Sequence, residues 1–300
     1  MDPRQNAYTH QLGGGAAAYI QPPGSWWLSN AGILTGAAGA ALVDTAATET
    51  RMNGLLAAVA AETKAPIEQI VLTHAHGDHA NGISLVPTAK VSASARCRDE
   101  LAAGQYDRWN ALFPTICWGK ATAGVPDTAV TEPVTMDLAG HKAHILPLSV
   151  PAHTSGDLTV FLPALGTLFA GDLVWNGVAP LAAFGSIAGW LGELDVLMAL
   201  DPAVVIPGHG APGGPELIEE TASYLRWVQN AAEQAVQSNL TPAAAVAAFS
   251  TRAPSGWIDA ERLVVNIRRG MAEITGEPID LMAGITDLVT AYGGAIPTDA

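Results

Sequence analysis

Four residues of the kind that hold cations fall within six positions: His74, His76, Asp78 and His79, in the run His-Ala-His-Gly-Asp-His. They follow Ile67–Thr73, whose apolar run predicts a buried strand. In an extended segment, residues two apart point to one side, so His74 and His76 share a direction. Gly77 then permits a turn that carries Asp78 and His79 to a second point nearby. Imidazole nitrogens and carboxylate oxygens in this pattern suit two divalent ions close together. A helix N-cap would use only one of the four.

Three further residues join them from later in the chain. His153 lies in the turn Pro-Ala-His-Thr-Ser-Gly-Asp, Asp172 ends the strand-like run Leu-Phe-Ala-Gly-Asp, and His209 lies in Pro-Gly-His-Gly. Alone, each has an ordinary explanation as a turn histidine or a capping carboxylate. Beside the first cluster they read as ligands. Asp172 has two oxygens and could bridge two ions, which one imidazole nitrogen cannot do.

The surrounding elements must bring these loops to one place. Residues 16–21 and 25–30 read as strands around the turn Pro-Pro-Gly, followed by strands over 32–36 and 40–45. A helix is expected from Thr48 to Lys64, with Leu55, Leu56, Val59 and Ala60 on one face. A short strand over 90–94 and a helix near 96–104 come next, then an irregular insertion or lid over 105–130. The second half repeats the order, with strands over 134–138, 141–148, 157–163, 167–172 and 203–206. Between the last two, residues 186–200 form an amphipathic helix with Ile187, Trp190, Leu191, Leu194 and Met198 on one stripe. Two such halves predict an α/β protein in which two mixed sheets pack together with helices outside. Beyond Pro215 the pattern is helical throughout, an appendage that is a candidate to cover the site, to build a dimer interface, or both.

In this order, the HxHxDH run, the PxHTxGD turn, the GD strand end and PGHG resemble the metallo-β-lactamase superfamily, over roughly residues 16–211. The resemblance implies a four-layer αββα sandwich, with residues 1–213 as the catalytic domain and 214–300 as a C-terminal helical extension packed on it. It implies one ion held by His74, His76 and His153, another by Asp78, His79 and His209, and Asp172 between them. It also matches Asp44, which ends a strand and would support the ligands from behind; by itself Asp44 reads as a cap or turn residue. No cysteine falls at a ligand position, unlike the lactamase branch with a thiolate ligand. The carboxylate at 172 is expected in glyoxalase II-like thioesterases, lactonases and phosphodiesterases.

The implied chemistry is hydrolysis: a hydroxide bridging two divalent ions attacks the carbonyl of a lactone, thioester, ester or β-lactam-like amide, with Asp78 orienting it. Zinc suits the donors, and so do iron and manganese. The rival is an oxidoreductase resembling persulfide dioxygenases, with a single iron. Trp26, Trp27, Trp118 and Trp175, together with Trp109, Phe113 and Phe184, are candidates for an apolar pocket for an acyl or ring group.

Composition narrows the partners. Hydrophobic residues make up 49% and charged residues 14%, which excludes a disordered chain. A net charge of -14 with no basic run argues against nucleic acid and disfavours a strongly anionic substrate. The expected partner is a small molecule bearing an apolar group. Cys97 and Cys117 are expected as two reduced thiols. The first fifteen residues lack the apolar centre of an export leader, and Ala-Ala-Gly-Ala-Ala-Leu-Val is too short to cross a bilayer. A cytoplasmic location away from membranes is therefore expected, and the C-terminal helices are candidates for a homodimer contact. His10, His141 and His144 read as surface or strand residues, and Arg268 and Arg269 as a solvated helix face.

Overall fold

A computed structural model describes residues 7–37, 39–104 and 112–300. The first sheet holds β1 (Tyr8–Gly13), β2 (Ala16–Ile20), β3 (Ala31–Gly36), β4 (Gly39–Val43), β5 (Ile67–Val71), β6 (Lys90–Ser94) and β7 (Thr128–Val130), side by side in chain order. Pairing is antiparallel through β4 and parallel from β4 to β7. The second sheet runs β12 (Val204–His209), β11 (Thr167–Trp175), β10 (Leu158–Leu162), β9 (His141–Pro147), β8 (Val134–Leu138), antiparallel except for β11 with β12.

The two-residue period of the strands separates the layers. Ala16, Ala18 and Ile20 of β2 turn inward to pack with Ile145, Val160 and Phe169 of the opposite sheet. Their neighbours Ala17 and Tyr19 turn the other way, into the core that holds Met52 and Leu55 of α1 (Glu49–Glu62). On the far side, Leu168 and Val205 share a core with Trp190 and Leu194 of α4 (Ile187–Ala199) and Leu225 and Val228 of α5 (Glu216–Gln237). The result is the αββα sandwich expected from the sequence. Between β5 and β7 lie the single turn α2 (Gly77–Ala80) and α3 (Ala95–Ala102). After α5 come α6 (Pro242–Phe249), α7 (Leu263–Thr275) and α8 (Leu281–Ala291). Their buried residues belong to the same continuous core as the sheets, and the expected boundary at 213/214 falls in the turn ahead of α5.

Several expectations are corrected. Residues 25–30 are not a strand but a turn in which Trp27 has φ 68. The apolar pattern there serves packing around the site rather than a sheet. On α1, Ala60 is exposed and Met52 takes its place in the core; on α4, Leu197 is buried and Met198 is exposed. The insertion ends in β7, and its residues 105–111, Trp109 among them, lie outside the described residues. Arg268 and Arg269 are not a solvated face: Arg268 pairs with Asp287 of α8, and Arg269 donates to the Ala183 carbonyl at 2.6 Å. Both cysteines are free, Cys97 buried and Cys117 exposed. Among the described residues, no helix is long and apolar enough to cross a membrane.

Candidate metal centre

One end of the sandwich gathers the loops that follow β4, β5, β9 and β12, together with Asp172 from within β11. A rigid sheet can aim short loops at one point, which is why sites collect at strand ends. His74, His76, His153 and Asp172 bring ligand atoms within 4.8 Å of one another, and Asp78, His79 and His209 do the same. The two groups share Asp172. Its Oδ2 lies 3.2 Å from His153 Nε2 and 3.7 Å from His74 Nε2, while its Oδ1 lies 3.0 Å from His79 Nε2 and 3.4 Å from His209 Nε2. The structure thus brings all seven residues together, with the Asp172 carboxylate between the two groups of imidazoles.

Four of the five rings, those of His74, His79, His153 and His209, are oriented from outside. His153 Nδ1 donates to Leu181 O at 3.0 Å, and His209 Nδ1 to Gly24 O at 2.8 Å. His79 Nδ1 meets Asp44 Oδ2 at 2.8 Å. Asp44 also accepts from the Thr73 amide at 2.6 Å and the Thr73 hydroxyl at 2.7 Å, and that hydroxyl meets His74 Nδ1 at 3.0 Å. A proton on each outer nitrogen leaves a lone pair on the inner one. Three ring nitrogens crowd together: His76 Nδ1 lies 3.1 Å from His74 Nε2 and 2.9 Å from His153 Nε2. Lone pairs at these separations repel unless a positive charge lies among them. In the second group, buried His79 Nε2 and Asp172 Oδ1 are 3.0 Å apart without the geometry of a hydrogen bond. This donor set fits divalent cations.

The electrostatics divide along the same line. Burial, reinforced by neighbouring imidazoles, holds His74 well below its ordinary pKa and pushes His76 down to about 3. Burial also disfavours charge on His79 and His209, but the carboxylates outweigh it, led by Asp172. His79 is raised well above its ordinary value and His209 is raised to about 9. Burial alone would push Asp172 and Asp78 up; the imidazoles around them hold both down instead. The carboxylates thus favour positive charge in the second group, where a proton and a cation compete for the same imidazole nitrogens.

Glycine permits the close packing beneath the ligands. A Cβ on Gly208 would lie 2.0 Å from Asp172 Oδ1. Gly77, expected to turn the chain by its freedom of φ, serves differently: it begins α2 without a positive φ, and a Cβ there would come within 3.0 Å of the Trp27 ring.

The family is settled by comparison. A model of the family described as the metallo-beta-lactamase superfamily matches residues 24–209. The chain belongs to that superfamily. The superfamily consists mostly of hydrolytic metalloenzymes. The chain is 26% identical over 181 residues to a beta-lactamase-like protein 2 homolog of Drosophila melanogaster, covering 60% of this chain but only 55% of that protein. It is 27% identical over 204 residues to a type 2 metallo-beta-lactamase of Bacteroides fragilis, covering 66% of this chain and 75% of that one. The structure of a metallo-beta-lactamase from Pontibacter korlensis superposes with a TM-score of 0.62 at 22% identity, covering 73% of this chain and 99% of that chain. At that identity the superposition speaks for the fold alone.

A cleft of about 710 Å³, its mouth included, opens over the centre, and His76, Asp78, Asp172 and His209 line it. Of the aromatic candidates, Trp26, Trp27 and Trp175 line the cleft. Trp118 does not; its ring meets Trp27 edge-on at 4.7 Å and supports that ring. Phe113 and Phe184 also line it, Phe113 meeting Trp27 at 5.2 Å and Phe184 meeting His76 at 5.0 Å. Sequence reasoning missed Arg262 and the apolar residues Ile285, Leu288 and Ile296 from the C-terminal helices and tail. Arg262 is buried, ion-paired with Asp259 at 3.1 Å, and its guanidinium lies 4.2 Å over Trp26 and 4.8 Å over Trp175. Nothing in the local spacing marks it, because the rings it meets come from positions 26 and 175.

Proposed function

We propose that this chain is a hydrolase that holds two divalent ions, zinc foremost, and opens a lactone, thioester, ester or β-lactam-like amide. The observation that carries the reading is Asp172, whose two oxygens face the two groups of imidazoles separately. His74, His76 and His153 would hold one ion, and Asp78, His79 and His209 the other, with Asp172 common to both. When bound, the ions supply Lewis acidity toward water and toward a carbonyl oxygen.

The chain's own residues do the rest. Asp44 fixes His79 directly and His74 through Thr73, so the ligand geometry exists before substrate arrives. Asp78 lines the cleft with one oxygen 3.2 Å from His209 Nε2, which supports a role in orienting the attacking water. The aromatic and aliphatic walls exclude bulk water and hold the apolar part of the substrate.

The rival, one iron and oxygen chemistry, gives the Asp78, His79 and His209 group no task. Metal analysis on protein purified without chelator separates the two, followed by a panel of lactone, thioester, lactam and phosphodiester substrates. Two ions per chain with hydrolysis of a carbonyl substrate is expected. One iron per chain with oxygen consumption would overturn the proposal.

A further inference from the structure

Resting on that reading, we infer that α8 and the C-terminal tail build a substrate subsite for an uncharged, apolar acyl or ring group. Ile285 and Leu288 of α8 and Ile296 of the tail line the cleft. The tail is fastened there: the Thr298 hydroxyl donates to Trp26 O at 3.0 Å, and Arg51 of α1 donates to the Asp299 carbonyl. The wall is therefore part of the folded site and already shaped for a ligand.

Its chemistry selects against charge. A carboxylate moved against these side chains loses its water without gaining a partner. Among the described residues, Arg262 is the one Lys or Arg lining the cleft. Its charge is matched by Asp259, its Nη1 donates to Ala179 O at 2.8 Å, and its plane lies over two tryptophan rings; only the buried Nε lacks a partner. Asp259 is held in turn by Ser25 Oγ at 2.8 Å and the Tyr292 hydroxyl at 3.1 Å. A substrate anion would have to displace this network.

The test uses the metal-loaded protein and the emission of the cleft tryptophans. Octanamide and its ω-carboxylate analogue suberamate are titrated as probes that differ in one terminal charge. Octanamide should bind with a Kd at least ~10-fold lower, and Ile285→Lys should weaken octanamide ~10-fold while bringing the two probes within ~2-fold of each other. If Ile285→Lys does not fold, Ile296→Lys replaces it, and the unmodified protein alone still ranks the probes. Equal binding, tighter suberamate, or variants that bind octanamide unchanged would overturn the subsite. The p-nitrophenyl ester of octanoate is assayed in parallel. Probe binding as expected with no ester turnover would refute hydrolysis of simple esters and leave the subsite standing, so the two readings fail separately.

Discussion

At the scale of single residues, Asp44 has the widest reach. It is buried, has φ 63, and one carboxylate orders His79 directly and His74 through a hydroxyl. Asn at this position keeps the shape but loses the charge that fixes the His79 tautomer. Asp44→Asn should lower metal affinity by about 10- to 100-fold, read by competition with a chromophoric chelator. Metal affinity within 2-fold of the parent would show that the outer hydrogen bonds are ornamental. The seven candidate ligands were legible in the sequence as a group because most of them end or follow a strand, where a polar run after an apolar one has few other uses; Asp172 instead lies within β11, which runs on to Trp175. Arg262 was not legible, because its meaning depends on rings more than 80 positions away.

At the scale of elements, the strands were legible wherever alternation reflects two buried faces, as in β2 and β10. Residues 25–30 carry a similar pattern for another reason. Trp26 Nε1 donates to the Tyr292 hydroxyl at 3.0 Å and Ser25 bonds Asp259, so tertiary partners from the far end of the chain decide that turn. Arg262 joins the turn to the start of α7, and its loss removes an ion pair, a carbonyl contact and two ring contacts at once. Arg262→Ala should destabilise the fold by about 3–5 kcal/mol, since it leaves Asp259 buried without its partner. Denaturant unfolding measures this; a loss under about 1 kcal/mol would assign the pair no structural weight. Close packing between strands gives a second test. The β12 backbone passes so near Asp172 that Gly208→Ala must push its carboxylate, the proposed bridge, aside. Metal content of the purified variant should fall from two ions toward one or none, with the circular dichroism of the fold retained.

At the scale of the whole molecule, the centre is a concentration of buried ionisable groups and lone pairs at one end of an otherwise apolar sandwich. Cations that bind only the folded chain stabilise it by mass action, about 2.7 kcal/mol for each site at a hundredfold excess over Kd. Metal loading should therefore raise Tm by about 5 °C or more, and chelation should reverse the gain. An unchanged Tm would mean that the cluster holds nothing tightly. The C-terminal helices were legible as helices from their 3.6-residue spacing and as a candidate cover for the site, but the residues that wall the cleft were not, because which face meets the site depends on how α5 and α7 dock. The parallel stacking of Trp175 on His209, 4.3 Å apart and 4° from coplanar, gives the molecule an optical gauge of its own. When a proton on His209 gives way to a cation, the indole beside it finds itself in a different field, and its emission should shift in step with occupancy. A Trp175→Phe variant silent under the same titration would trace that signal to this one ring.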